Sequence, residues 1–551
     1  MRSHGRTPDG LSGLFLPRSP DRSPDRSPGS SPEVAFAALS RRRFLGVSLG
    51  AAASGAALVG CAAGPSASPT GANSRPRQGG RLRAVFAGGG AQETLDPHLA
   101  NLFVEAARAK AMFDKLADHG PDLSVVPRLA ERWEPDAGLT RWRVTLRQAA
   151  YHDGRPVRAA DVLYSYGRIL DPKRGFRAKP NLGVVDLPAS RAVDDRTVEF
   201  ALKRPFAEFP NVMAAFGTYI VPEGADSFER PVGSGPFAFT SFEPGRSVLL
   251  RRHPDHWDGA AYLDELEFVV ANEESARVNA LVGGQVQYAH ELSPTSARVH
   301  RDSERISVLR MANSAMQAFA MKVDRPPFDN RDLREAMFLL ADRPALVETV
   351  LAGTGQVGND LFGRGYRYYA DEIPQRTRDL DRAKWLVERS GAAGSTIRLD
   401  TSEAATGFLE AASVFAAQAR EVGLRLEPAV GNKDTYWKDT KDAGVLSCFR
   451  SGAMPIETHI AQRLLTGSTT NVTKWARRDF DALYDTAVGT ADEAVRRRAY
   501  LDMQSLLHTE GGYLVWGFAD WLVGTAKNLG GVANAPANTL DWARFDKVWL
   551  A

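Results

Sequence analysis

Cysteine is nearly absent from this 551-residue chain, which contains only Cys61 and Cys448. If Cys61 is modified, as its surroundings indicate below, Cys448 has no partner and no internal disulfide can form. Cys448 lies in the apolar run VLSCF at 445–449, so we expect it to be a small buried hydrophobic residue. The length is beyond one ordinary hydrophobic core and predicts at least two domains.

An excess of charge of one sign is also lacking. The chain has 69 basic and 66 acidic residues, and residues 1–61 hold eight arginines and four acidic residues. The remainder therefore carries 61 basic and 62 acidic residues, which leaves no electrostatic footprint for nucleic acid. With 43% hydrophobic and 25% charged residues, the composition is that of a globular protein.

The usual catalytic and cofactor motifs are missing. The glycines around Ser234 lack the spacing of a nucleophile elbow, and Pro236 follows at once. His253 and His256 flank Pro254, which argues against the helix that a zinc-binding pair needs. The glycines at 88–90 lack the residues of a phosphate loop or a dinucleotide-binding fingerprint. We therefore expect neither an enzyme nor a bound cofactor or metal.

The N-terminal region reads as an export signal. Residues 1–39 are rich in Ser, Pro, Arg and Asp, which predicts disorder or a start codon assigned too early. SRRRFL at 40–45 matches the twin-arginine export consensus, and the mild apolar stretch that follows is about 15 residues long, too short for a membrane span. The stretch ends in LVGC, similar to a lipobox, at Cys61. The alternative, an ordinary amphipathic helix, does not explain two motifs at this separation.

A lipid on Cys61 would hold the mature protein at the outer face of a membrane. Residues 62–80 are rich in Pro, Ser, Gly and Ala and are expected to form a flexible tether. No later segment is apolar and long enough to be predicted as a membrane span.

From residue 81 the pattern mixes short strands with amphipathic helices, which predicts an α/β fold. Asp329 and either Asp379 or Asp381 are expected to cap helices, and Gly423 to end one. The tract 478–507 predicts two consecutive helices interrupted near 489–490, with the arginines at 496–498 on a solvated face. The predicted strands are 82–86, 141–146, 197–202, 247–251 and 265–270, and the predicted helices are 104–116, 159–169, 273–283, 332–340, 382–389, 408–422 and 480–507.

Several segments, read in order, resemble the peptide/nickel-binding family (family 5) of extracytoplasmic solute-binding proteins of ABC transporters. The match begins near residue 79 and continues colinearly to the C-terminus. Each segment is weak alone, but their order behind a lipoprotein signal makes the resemblance strong. The segments are TLDPH at 94–98, PRLAERWE at 127–134, LRQAAYHDG at 146–154, ADV at 160–162, VGSGPF at 232–237, PG at 244–245, HW at 256–257, PPFD at 326–329, REA at 334–336 and DLDRAKWL at 379–386.

This resemblance implies a fold of two α/β lobes joined by a hinge, with ligand held in the cleft between them. Lobe I would comprise 79–312 and 516–551, with an inserted subdomain at about 120–222, and lobe II would comprise 313–515. The chain would then cross between lobes near 310–317 and 513–518. Two crossings suit hinge closure, because few residues absorb the change in dihedral angles.

The resemblance also suggests where ligand could bind. Peptide-binding members often use an Asp in a DPD segment of lobe II to hold the ligand's amino group. Here the corresponding stretch, 450–457, lacks the first Asp, and only Glu457 could supply a carboxylate. The candidate ligand residues are Asn101, Phe103, Phe216, Tyr219, Gln317, Asp360, Phe362, Arg450, Glu457 and His459. The tyrosines at 366, 368 and 369 are expected on a surface loop.

The sequence thus predicts a monomeric, lipid-anchored component of an ABC importer that captures a peptide or a similar small polar solute and delivers it to the membrane permease. One alternative is an exported hydrolase or a sensor subunit built on the same two-lobe fold. Another is a surface adhesin. Peptides, opines, sugars and metal complexes all remain open as ligands, because one scaffold serves many ligand classes.

Overall fold

The predicted mixture of strands and amphipathic helices is present in the structure, a computed structural model that describes residues 75–433 and 435–551. Residues 1–74, which contain the predicted extension, the signal peptide with Cys61 and most of the tether, lie outside the described residues. In the part that is described, no helix is both long and apolar enough to cross a bilayer.

The strands follow in chain order, and three short 3-10 helices lie between them at Gly90–Gln92, Asn181–Val184 and Phe545–Lys547. The strands are β1 (Arg81–Phe86), β2 (Ala117–His119), β3 (Val125–Pro127), β4 (Ala130–Pro135), β5 (Arg141–Leu146), β6 (Val185–Asp194), β7 (Thr197–Leu202), β8 (Phe237–Glu243), β9 (Ser247–Arg252), β10 (Glu265–Val270), β11 (Tyr288–Ala289), β12 (Ile306–Met321), β13 (Gly355–Val357), β14 (Thr396–Thr401), β15 (Arg425–Val430), β16 (Leu446–Gly452), β17 (Tyr513–Ala526), β18 (Leu529–Gly530) and β19 (Trp549–Leu550).

The helices alternate with these strands. They are α1 (Phe103–Met112), α2 (Ala159–Leu170), α3 (Phe209–Ala214), α4 (Glu274–Val282), α5 (Pro294–Val299), α6 (Arg331–Leu340), α7 (Arg343–Val350), α8 (Leu380–Arg389), α9 (Phe408–Arg420), α10 (Tyr436–Asp442), α11 (Ile456–Arg463), α12 (Arg478–Val488) and α13 (Glu493–Glu510).

Local sequence explains several helix ends. The side chain of Asp379 accepts a hydrogen bond from the backbone N–H of Arg382 and caps α8, as predicted. Gly423, with φ +83°, follows α9 and leads into β15, because glycine adopts this left-handed conformation without steric cost. The predicted cap of α6 is wrong by one residue: the side chain that accepts from the first turn is Asn330, not Asp329.

One large mixed sheet runs through both lobes. Its strand order is β15-β14-β16-β12-β17-β11-β1-β10-β9-β8, and β13 pairs with β17. We call the half with β1 and β8–β11 lobe I and the half with β14–β16 lobe II. The long strands β12 and β17 are antiparallel neighbours that belong to both halves. The α/β two-lobe fold class is confirmed.

The pairing of β12 with β17 changes at the centre of the sheet. Residues 306–311 of β12 pair with 521–526 of β17, and after an irregularity residues 315–320 pair with 513–519. Asn313 within this irregularity has φ +57°. A break in register bends and twists the local strands, so the two halves of the sheet meet here at a bent junction.

A second, smaller sheet lies in the range predicted for an inserted subdomain. It has four antiparallel strands in the order β4-β5-β7-β6, and α2 packs against β6 and β7. We call residues 117–214, from β2 to α3, the small-sheet region. Its buried side chains share a continuous apolar cluster with lobe II residues such as Phe480, Tyr484 and Tyr500.

The exposed fractions of the side chains show that two predicted surface positions are buried. Tyr368 and Tyr369 are 3% and 5% exposed, so they belong to the core and not to a surface loop. Arg496 is 9% exposed, whereas Arg497 and Arg498 are exposed as predicted for a solvated helix face. Cys448 is buried at 2% exposure in β16, as expected for a small hydrophobic residue.

Candidate ligand-binding cleft

The two strands that join the lobes form the floor of the candidate cleft. On β12, Gln317 pairs with Arg450 of β16 on one side and with Gly517 of β17 on the other. Gln317 is 4% exposed. Two of the predicted ligand residues, Gln317 and Arg450, are thus cross-strand neighbours beside the bent junction.

Arg450 forms an ion pair with a residue of the opposite lobe. Its Nη2 lies 3.4 Å from Oε1 of Glu291, which follows β11 in lobe I and has φ +55°. The side chains are 21% and 34% exposed, so solvent reaches both. Such a pair contributes about 0–1 kcal/mol, which means that ligand groups can replace either partner at little cost.

Aromatic side chains of lobe I lie beside this ion pair, next to Arg450. The Trp521 ring lies 5.9 Å from the guanidinium of Arg450, 5.0 Å from Phe103 and 5.1 Å from His290. Trp542 lies 5.8 Å from Phe103 and 5.6 Å from His290. We call Phe103, His290, Trp521 and Trp542 the aromatic cluster. Phe103 is partly exposed, and the other three are buried.

Three polar atoms of the aromatic cluster lack partners. Nε1 of Trp521, Nε1 of Trp542 and Nε2 of His290 are buried without a hydrogen bond to any described residue. Burial, followed by the charges of Arg277 and Arg450, holds the pKa of His290 well below its usual value. A buried polar atom without a partner is destabilising, so a ligand or ordered water that reaches these three atoms would satisfy them.

Phe103 is held in place by the start of α1. The side chain of Glu105 accepts hydrogen bonds from the backbone N–H groups of Asn101 and Leu102, at 2.8 and 3.0 Å. The exposed Asn101 side chain donates to the carbonyl of Leu99. Leu99 and Leu102 are 41% and 37% exposed.

The candidates Phe216 and Tyr219 lie elsewhere in lobe I. Tyr219 is 3% exposed, its carbonyl is 2.8 Å from Nε2 of His98, and its ring is 5.9 Å from the ammonium group of Lys115. The ring of Phe216 lies 5.6 Å from the guanidinium of Arg177. Both rings share the lobe I apolar core with Phe103, Trp521 and Trp542. Among the described residues, however, neither ring stacks on the aromatic cluster or lies over the guanidinium of Arg450.

Asp360 is buried in lobe II between two arginines. Both of its carboxylate oxygens accept from Arg343, at 2.8 and 2.7 Å, and Arg376 donates to Oδ2 at 2.7 Å. Nearby, Phe362 stacks on His459 with ring centroids 3.8 Å apart. All three candidates line an internal cavity of about 20 Å³ with Leu361. This cavity is room for a water molecule, not for a solute.

Glu457 lies at a third place, where lobe II contacts the small-sheet region. It is 5% exposed, and a cavity of about 30 Å³ separates it from other lining residues such as Glu208 and Asn211. The structure thus distributes the predicted ligand residues over several places. Only Phe103, Gln317 and Arg450 are brought to the bent junction between the lobes, where Asn101 lies beside Phe103.

Comparison with known proteins identifies the family. Residues 124–467 match the family model described as bacterial extracellular solute-binding proteins, family 5 Middle. The chain belongs to this family. A di/tripeptide-binding protein of Pseudomonas aeruginosa is 24% identical over 80% of this chain and 90% of its own length. The glutathione-binding protein GsiB of Escherichia coli K12 is 25% identical over 81% and 91%.

Solved structures of family 5 proteins share the fold. The substrate-binding protein CtaP of Listeria monocytogenes superposes with a TM-score of 0.77 and 21% identity, over 86% of this chain and all of that one. AgaA of Agrobacterium tumefaciens in complex with agropinic acid has a TM-score of 0.73 and 22% identity, over 86% and 99%. The matched proteins are binding proteins, so this family 5 member is a solute-binding protein and the hydrolase alternative is wrong.

Sequence reasoning found Asn101 and Phe103 on the lobe I side of the cleft but missed the lobe I residues that meet Arg450. Glu291, His290 and Trp521 occur in no motif, and their neighbours in sequence are ordinary strand residues. One usable signal was that two polar residues, His290 and Glu291, directly follow the short strand β11, because loops at strand ends commonly carry binding residues. Whether these residues contact Arg450 depends on how the two lobes approach each other.

Proposed function

We propose that this family 5 protein is the substrate-binding lipoprotein of an ABC importer, and that it captures a peptide or similar small polar solute between its lobes for delivery to the permease. The observation that carries the proposal is the Arg450–Glu291 ion pair, which spans the lobes beside the aromatic cluster. Two relatives are named for binding di- or tripeptides and glutathione, which supports a peptide-like solute.

The chemistry of the cleft suits a zwitterion. Arg450 can hold a carboxylate in a bidentate, charge-assisted pair, and Glu291 can accept from an ammonium group. Exchanging one weak, solvent-exposed ion pair for two buried ones favours the closed state only when ligand is present. The aromatic cluster offers apolar surface to a side chain, and the Trp521 indole N–H can donate to a peptide carbonyl.

Glu291 takes the place of the acid that lobe II lacks. In the stretch 450–457, Glu457 points to the small-sheet contact and not to Arg450. The carboxylate beside Arg450 is supplied by lobe I instead. We infer that the solute spans the lobes with its negative end on lobe II and its positive end on lobe I.

A ligand panel tests the binding proposal. Full-length protein carrying Cys61→Ser would be screened by thermal denaturation with di- and tripeptides, glutathione, C-terminally amidated peptides, sugars and opines. A ligand at 100 times its Kd adds about 2.7 kcal/mol to the free energy of unfolding and raises Tm. No shift with any peptide or related zwitterion would contradict the proposal.

Variants of Arg450 then test the site. Arg450→Ala should weaken binding of a free-carboxylate peptide at least tenfold, and it should change binding of the amidated form much less. Arg450→Lys is the matched control, since it keeps the charge without the planar fork and should retain part of the affinity. If Arg450→Ala weakened the affinity for free and amidated peptides equally, the C-terminal carboxylate of the ligand would not bind at Arg450.

The lipid anchor is a separate part of the proposal. We propose that residues 40–61 are removed or modified as a twin-arginine lipoprotein signal and that lipid on Cys61 holds a monomeric binding protein near its permease. Cys61→Ser should move the protein from the membrane fraction to the soluble fraction with ligand affinity unchanged. Retention of this variant on the membrane would contradict the lipid anchor while leaving the binding proposal intact.

A further inference from the structure

The small-sheet region, which is inserted in the chain of lobe I, touches lobe II away from the strands that join the two lobes. Arg204 of the small-sheet region pairs with Asp485 of α12 at 2.8 Å, and the backbone N–H of Ala207 donates to the carbonyl of Val488. Nearby, Glu208 contacts α13. Because β12 and β17 carry the chain between the lobes, a rotation of lobe II about those strands would separate these surfaces.

A buried ion pair lies at the centre of this second contact. Nη1 of Arg496 donates to Oε1 of Glu208 at 3.0 Å, and the other carboxylate oxygen of Glu208 accepts from Asn211 at 2.8 Å. Nη2 of Arg496 donates to the carbonyl of Thr490. Glu208 and Arg496 are 4% and 9% exposed. This pair is therefore charge-neutral. Nη1 and Nη2 of Arg496 are used by Glu208 and Thr490, its Nε is buried without a partner among the described residues, and none of the three donates to a second carboxyl group.

Glu457 is that second carboxyl group. It lies in the first turn of α11, and its Oε1 is buried with no hydrogen-bond partner in the described part of the chain. The cavity of about 30 Å³ that it lines also touches Glu208, Asn211, Arg367 and Tyr368. A buried ionised carboxylate without a partner costs several kcal/mol, so proteins hold such a group neutral instead.

The charged groups around Glu457 do not neutralise it. Arg496 is bonded to Glu208, and Arg367 is paired with Glu493 at 2.8 Å. Burial, and then the charge of Glu208, raise the pKa of Glu457 well above its usual value. The pKa of Glu208 is raised as well, chiefly by burial. The groups that face the pair from the surrounding elements are Arg367, Tyr368, Tyr484, Glu493, Arg496 and Tyr500.

We propose that closure of the lobes takes up one proton, held by Glu457 as a neutral acid against Glu208, so that the closed form is favoured as the external pH falls. In the open form Glu457 faces water and ionises at its usual pKa. At pH values between the pKa of Glu457 in the open form and its higher pKa in the closed form, the ratio of closed to open protein then changes by up to tenfold per pH unit. The inference rests on the proposed closure of the lobes but not on the identity of the solute.

Small-angle X-ray scattering tests this coupling. Full-length protein with Cys61→Ser would be measured from pH 5.5 to 8.5 without added solute, beside the same protein with Glu457→Gln. The parent should become larger in radius of gyration as pH rises, and Glu457→Gln should stay compact because the amide cannot ionise. The matched control is Glu403→Gln, at an exposed position, which should behave as the parent does.

Either of two results would overturn the proposal: an expansion with pH that persists in Glu457→Gln, or a parent whose radius is the same across the range. Glu208→Gln gives an independent check, because it removes the repelling charge and frees Arg496 for Glu457. It should shift the pH of expansion or abolish it, and an unchanged pH midpoint would contradict the coupling. Peptide binding at a single pH tests the proposed function separately, so the two failures are distinguishable.

Discussion

At the scale of single residues, charge and burial separate the candidate ligand residues from those that hold the fold together. Arg450 and Glu291 are paired but reachable by solvent, which is what an exchangeable contact requires. Asp360 is fully enclosed and has three hydrogen bonds from two arginines. Its φ of +60° shows that the backbone accepts an uncommon conformation to place this carboxylate between them.

Asp360→Asn should therefore reduce stability strongly. The substitution leaves Arg343 buried at 2% exposure with its charge uncompensated, and breaking such a pair costs about 3–5 kcal/mol. Chemical denaturation with urea measures the change in the free energy of unfolding. Asp371→Asn, at an exposed position nearby, is the control and should have little effect. A stable Asp360→Asn protein with weakened ligand binding would instead make Asp360 a ligand residue.

At the scale of elements, local sequence signals account for most boundaries. The strands at 141–146, 197–202 and 265–270 have the predicted bounds. Burial alternates along 141–146 and over the first residues of 265–270, whereas 197–202 is a short apolar strand buried on both faces. The predicted helical tract from 478 is two helices, α12 and α13, separated near Gly489 as expected. Sequence could not show that Arg496 turns inward from α13, since a run of arginines has no apolar period.

The cap of α13 offers a test at this scale, since α13 carries Arg496 to the second lobe contact. The Asp492 side chain accepts from the backbone N–H groups of Ala494 and Val495. Asp492→Ala should lower the free energy of unfolding by about 1 kcal/mol in urea denaturation. Asp502→Ala is the matched control, because Asp502 forms an exposed pair with Arg498 within α13 and should contribute under about 0.5 kcal/mol. If Asp492→Ala and Asp502→Ala lowered the free energy of unfolding equally, the cap would contribute no more than an exposed charge pair does.

At the scale of the whole molecule, lobe I and the small-sheet region bury histidines that are held neutral. Burial, opposed by the hydrogen bond to Tyr219, lowers the pKa of His98 to about 4, and burial with the charge of Lys115 lowers that of His119 to about 4. Both are nearly inaccessible to solvent. Because the folded state resists protonation of these groups, their stabilisation is complete above the unfolded pKa of about 6.5.

We expect the free energy of unfolding to fall as pH decreases from about 6.5 towards 4, by about 1.4 kcal/mol per pH unit for each such histidine. Urea denaturation at pH 7, 6 and 5 measures this slope. His119→Gln keeps a hydrogen-bonding side chain beside Asn211 but cannot titrate, so its slope should be smaller than that of the parent. An unchanged slope in this variant would show that His119 is not responsible.

The amino-acid sequence by itself determined the α/β class, most strand and helix positions and the family, because these depend on periodicity, turn residues and ordered short motifs that act locally. It also predicts the lipid anchor at Cys61, which stays a prediction. Only the tertiary structure decided which polar residues meet. Glu291 reaches Arg450 from 159 residues away, and Arg496 reaches Glu208 from 288 away. Such contacts depend on how two lobes close on each other, and no local pattern in the chain encodes that geometry.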